Sequence, residues 1–124
     1  NIMTKQDLLV LLSASDTKKS KTSPIPAETE TIEKEEAERS KAALSKLGFL
    51  EDGKLSAKGK LISDALLSPE DMVITANSAL VDSAPVSYCY KHGFWTVLAP
   101  DIRANLITVV SPIFQQDVQP FVRQ

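Results

Sequence analysis

Cys89 and His92 are the only cysteine and the only histidine in the chain, and they stand three positions apart. A thiol beside an imidazole can make a nucleophile with its base, and the same two side chains are half of a zinc site. A structural zinc ion needs about four nitrogen or sulfur ligands, and the chain owns one of each kind. Cys89 therefore reads as a small, half-buried apolar residue between Tyr88 and Tyr90, and His92 as a turn residue. Any Ser-His-Asp arrangement would have to use His92, which has no orienting partner in the sequence around it.

The remaining patterns are no stronger. Ser15-Asp16-Thr17-Lys18 fits a bare S-x-x-K, but the enzymes that use it need two further motifs and a larger fold. Glu51-Asp52 and Glu70-Asp71 are adjacent carboxylates in turns, which point apart and into water. Gly48, Gly53, Gly59 and Gly93 fit neither G-x-G-x-x-G nor G-x-x-x-x-G-K, so no phosphate cradle is implied. No catalytic residue, metal or cofactor is expected, and the chain reads as a non-enzyme. The rival enzymatic reading needs an unfamiliar site of Asp, Glu and Tyr side chains with shifted carboxylates.

Binding is the chemistry that remains. Tyr88, Tyr90, Phe94 and Trp95 fall on two runs joined at His92-Gly93, a hairpin signal in which Gly93 supplies the positive φ of a tight turn. Alternation along a strand puts Tyr88 and Tyr90 on one face and Cys89 on the other, and sends Phe94 and Trp95 to opposite faces. At least one large ring is thus expected on the outer face of the sheet, a common place for a partner or a second copy. These four rings are the candidate partner-binding residues.

The elements that carry them change period midway. Thr4 with Asp7 resembles a capping box ahead of a short helix through Leu8 to Leu12. Residues 16–30 lose both periodicities among lysines and Pro24 and Pro26, and read as a flexible loop. A second helix is expected from Thr31 to Leu47, with Ala37, Ser40, Leu44 and Leu47 on one face and Gly48 as its C-terminal cap. Glu28, Glu30, Glu33, Glu35, Glu36 and Glu38 crowd its start, where the helix dipole favours acids. After the turn Glu51 to Lys54, Ser56 caps a third helix that buries Leu61, Ile62, Ala65 and Leu66 and ends at Pro69.

Strands follow: Met72 to Ala76, Val86 to Lys91, Phe94 to Ala99, and Leu106 to Val110 closed by Pro112. The tail from Ile113 to Val122 keeps Ile113, Phe114, Val118 and Phe121 as anchors for a short helix. The fold class is therefore α+β, one domain over residues 1–124, mainly helical over 4–69 and mainly antiparallel strands over 70–124.

With 124 residues the chain has room for one core. Its 43% hydrophobic and 24% charged residues fit a globular domain, and its longest apolar runs are far short of a membrane span. Asn1 and Ile2 ahead of Met3 read as cloning remnants. With no secretory pattern at the start and a single cysteine, the expected location is the cytoplasm. A net charge of -2 provides no field for phosphate backbones, so nucleic acid is not an expected partner.

Two stretches resemble known families. Residues 42–67, A-A-L-S-K-L-G-F-L-E-D-G-K-L-S-A-K-G-K-L-I-S-D-A-L-L, are similar to the tail of many winged-helix domains, where a helix ends in L-x-x-x-G and an L-S/T-x-x-G helix start follows. In a DNA-binding member the helix at 31–47 would enter the major groove, with Lys54, Lys58 and Lys60 on phosphates; that implies a transcriptional regulator. The glutamates of this helix would be repelled there, which favours a protein-binding version.

Over roughly residues 4–110, the order resembles the first half of the EspG-like chaperones of type VII secretion. The shared features are a leucine helix, a helix ending Leu47-Gly48-Phe49-Leu50, the turn Asp52-Gly53-Lys54-Leu55, a helix ending near Pro69, and strands around Tyr88 to Leu98. The resemblance implies an accessory or chaperone factor that binds a secreted helical protein. Those chaperones have two pseudo-symmetric halves and this chain matches one, so a homodimer is expected to supply the other.

Overall fold

The computed structural model describes residues 1–25, 32–75, 85–101 and 104–113. Two sheets and three helices alternate in the order β1 (Ile2–Thr4), α1 (Lys5–Ser13), α2 (Lys34–Lys46), β2 (Leu50–Glu51), β3 (Lys54–Leu55) and α3 (Ala57–Leu67). β4 (Asp71–Thr75), β5 (Val86–Lys91), β6 (Phe94–Asp101) and β7 (Leu106–Ile113) follow. The class is α+β, with the helices in the first half and an antiparallel sheet built from the second together with β1.

The starts of α1 and α3 are set by hydroxyls. Thr4 caps α1: its Oγ1 accepts from the Asp7 N–H at 3.1 Å, and the Asp7 carboxylate accepts from the Thr4 N–H at 3.1 Å. This reciprocal box satisfies two backbone donors that the first turn leaves unpaired. Ser56 caps α3 by accepting from the Gly59 N–H at 3.1 Å while donating to the Gly48 carbonyl at 2.6 Å. One side chain thus ties the end of α2 to the start of α3.

α2 ends in a Schellman motif, in which the Phe49 N–H reaches the Leu44 carbonyl at 2.9 Å and the Gly48 N–H reaches Ser45 at 3.1 Å. Gly48 has φ +85°, a backbone region that a side chain disfavours. The stripe Ala37, Ser40, Leu44, Leu47 is the buried or half-buried face of this helix, and Glu33, Glu35 and Glu38 are exposed. α2 begins at Lys34, with Glu33 in the capping position but without a side-chain cap bond. Thr31, Glu28 and Glu30 lie outside the described residues.

The five-stranded sheet has the order β1-β7-β6-β5-β4 with every neighbouring pair antiparallel. β1 is not among the strands expected from the sequence: Ile2 pairs with Thr108 and Met3 with Ile107. β7 also runs on past the expected stop. Pro112 lies within it, behind a cis Ser111–Pro112 bond, where the register with β6 shifts between Trp95 and Val97. A proline is accommodated here because the pairing with β1 covers only Leu106 to Thr108, and a bulge relieves the need for its missing N–H.

Residues 16–25 are irregular, as the lysines and prolines imply, but they are anchored. The Ser20 N–H donates to the Leu67 carbonyl at 2.8 Å, the Ser23 hydroxyl to Leu66 at 2.6 Å, and the Thr22 hydroxyl to Pro69 at 3.2 Å. Thr17 donates to the Asp64 carboxylate. This segment therefore satisfies the carbonyls at the C-terminal end of α3, which has no capping glycine. The rest of the expected loop, residues 26–30, and the tail after Ile113 lie outside the described residues, as does Ala76.

One continuous core joins both halves. Leu8, Leu11, Leu44, Phe49, Ile62 and Leu66 from the helical half pack with Met3, Cys89, Leu98, Ile107 and Val109 from the sheet. The helices thus cover one face of the sheet, here called the inner face.

Candidate functional site

The registers assign every strand residue to a face. Val73, Tyr88, Val97 and Val110 stand in one row across β4, β5, β6 and β7. Asp71, Tyr90, Trp95 and Ile113 form the next row. Since Cys89, Leu98 and Val109 belong to the helix-packed core, these rows are on the opposite, outer face.

This face holds a second apolar cluster of Tyr88, Trp95, Val97 and Ile113, against which Val86 and Tyr90 pack. The Tyr90 and Trp95 rings meet with centroids 5.2 Å apart at an interplanar angle of 58°, a tilted arrangement favoured by ring quadrupoles. Of the four candidate rings the structure brings three together here. Phe94 faces the inner side, opposite Lys91, and is half-buried. Tyr88 is 3% and Trp95 8% exposed, so these two are buried supports. The apolar groups of this face that reach water are others, Val110 at 36%, Leu106 at 37%, Val73 at 39% and Ile2 at 63%. Strand alternation could have found Val73 and Val110, since both share a row with Tyr88.

The catalytic candidates are dispersed. Cys89 is fully buried on the inner face, and burial pushes its thiol up to about 12. A thiol held protonated in this way is a poor nucleophile at neutral pH. His92 is exposed at the turn, with φ +57° beside Gly93 at +89°. Glu51 and Asp52 sit on the small hairpin of β2 and β3, and Glu70 and Asp71 are exposed at the start of β4. Ser15 accepts from the Thr17 N–H at 3.1 Å, a local turn contact. Among the described residues no three His, Cys, Asp or Glu side chains converge as a metal site.

Two shallow grooves meet at Lys60, one lined also by Ser15, Thr17 and Lys54, the other by Asp64 and His92. Of the three lysines that the winged-helix resemblance would place on phosphates, Lys58 stands 4.8 Å over the Phe49 ring and donates to the Leu47 carbonyl at 3.4 Å. No helix among the described residues is long and apolar enough to cross a membrane. Comparison with protein-family models, with curated proteins and with solved structures yields no match.

Proposed function

We propose that the chain is a non-enzymatic protein-binding module that takes a partner polypeptide on the outer face of its sheet. One observation carries the reading: this face is apolar across four strands, and the row through Tyr88 and Val97 ends in the water-exposed Val73 and Val110 beside a packed aromatic centre. A sheet with two apolar faces needs cover on both, and the helices supply it on one. The resemblance to EspG-like chaperones supports a partner class, a small helical secreted protein, with the chain as an accessory factor of a type VII-like secretion system.

The test is affinity capture from nuclease-treated lysate, comparing the unsubstituted protein with Val110→Lys. Val110 is the better control because it is partly exposed, whereas a charge at Trp95 would disrupt the cluster itself. Small helical secreted proteins or secretion-machinery subunits should be recovered and then lost in the variant. Equal recovery by both proteins would remove the outer face from the proposal. DNA retained without nuclease, and released steeply by salt, would instead favour the winged-helix regulator.

A further inference from the structure

Among the described residues β4 is one of the two edge strands of the five-stranded sheet. β4 occupies one end of the strand order and pairs with β5 in unbroken register over all of Asp71–Thr75. Among the described residues no strand pairs with its other side; the Met72 N–H donates to the Asp71 carboxylate at 2.9 Å, a bond that an added strand would replace. Edge strands present a row of unpaired N–H and C=O groups, and proteins usually blunt them with lysine, proline, a bulge or short length. The other edge, β1, is short, at three residues. β4 has five residues, no lysine, no proline and no register shift.

Its side chains leave apolar surface on both faces at once. Val73 is 39% exposed on the outer face and Ile74 is 54% exposed on the inner face. A partner lying on either face would cover only one of them, whereas a strand added in the plane of the sheet would flank both.

We infer that the added strand is β4 of a second copy, antiparallel about a two-fold axis at Val73, which joins two sheets into one. The sequence D-M-V-I-T is self-complementary in this register. Val73 meets Val73 of the second copy, Met72 meets Ile74, and Asp71 meets Thr75, so each pair shares a face and the inner faces continue into each other. The charges select the direction. Asp71 is the strand's only charged residue and Glu70 precedes it, so parallel self-pairing would set carboxylate against carboxylate. The antiparallel register puts Asp71 beside a hydroxyl instead. The contact is also isologous and closes as a dimer, whereas β4 on β1 of the next copy would propagate without end.

Light scattering on the unsubstituted protein should show a dimer, and Val73→Lys, which opposes two like charges, should raise its dissociation constant at least about tenfold with the circular dichroism unchanged. Val110→Lys, on another strand, should leave the dimer intact, which separates this contact from the outer-face reading. A cysteine pair tests register independently of that variant. Directly opposed residues of antiparallel strands have Cα atoms about 4.5–5.5 Å apart, within disulfide reach, so Val73→Cys should cross-link to its own copy on oxidation. Ile74→Cys, which opposes Met72, should cross-link far more slowly; the native Cys89 is fully buried and silent. A monomeric unsubstituted protein, or equal cross-linking at both positions, would overturn the inference.

Discussion

At the scale of single residues, Gly59 shows why a sequence pattern can look functional and be structural. It occupies the last position of the L-S-x-x-G stretch, where a Cβ would overlap the backbone carbonyl of Phe49. That carbonyl already accepts from the Ser56 N–H at 3.0 Å and has no freedom to retreat. Gly59→Ala should therefore destabilise the fold by about 2–4 kcal/mol, well beyond the small gain expected of alanine in a helix, read as a lowered urea midpoint. Cys89 gives a pH signature of its own. Its thiol is raised from 9.0 to about 12 by burial, so the unfolded chain releases this proton first. The contribution is complete below pH 9 and is lost as pH rises from 9 towards 12. Cys89→Ala should show a shallower loss of stability over that window when denaturant midpoints are compared, and the native thiol should resist alkylation at neutral pH.

At the scale of elements, the hairpin of β5 and β6 turns on two residues of positive φ, His92 and Gly93. This is the two-residue turn whose twist matches the strands, and asparagine suits its first position better than histidine. His92→Asn should raise stability by about 0.5 kcal/mol in equilibrium unfolding, an outcome that also tests whether His92 has any role beyond the turn. This hairpin was readable from the sequence because its signals are local: alternation on either side of a glycine. The same holds for Thr4 with Asp7, for Ser56 and for Gly48. What escaped depends on distant partners. Three residues of β1 become a strand only because Leu106 to Thr108 lie beside them. The Ser and Thr residues of 17–23 look like loop composition, yet their hydroxyls find the Asp64 carboxylate and the carbonyls of Leu66 and Pro69, more than forty positions away.

At the scale of the whole molecule, the outer face was legible in type but not in detail. Alternation placed Tyr88 and Tyr90 together and split Phe94 from Trp95, as the registers have it. Which rings would be buried was not legible, because Ile113 joins the cluster through the bulge near Pro112, where no simple alternation holds. The two contacts argued above, face and edge, meet at Val73, which ends an outer-face row and centres the β4 edge. A dimer through that edge would run the outer faces of both copies into one broad apolar surface, larger than either chain offers alone.

The pairing of Ile2 with Thr108 has a further consequence, for how the chain acquires its shape. β1 pairs with β7, the last strand among the described residues, so the sheet cannot close until β7 has been made. α1 follows β1 directly and shares the core with Val109, which ties the helical half to the same late event. Such long-range closure slows folding relative to a helical bundle of this size and leaves apolar helix faces uncovered in the meantime. Dividing the chain at Pro69 would separate β1 from β7 and the helices from their sheet, so neither piece would hold a complete core.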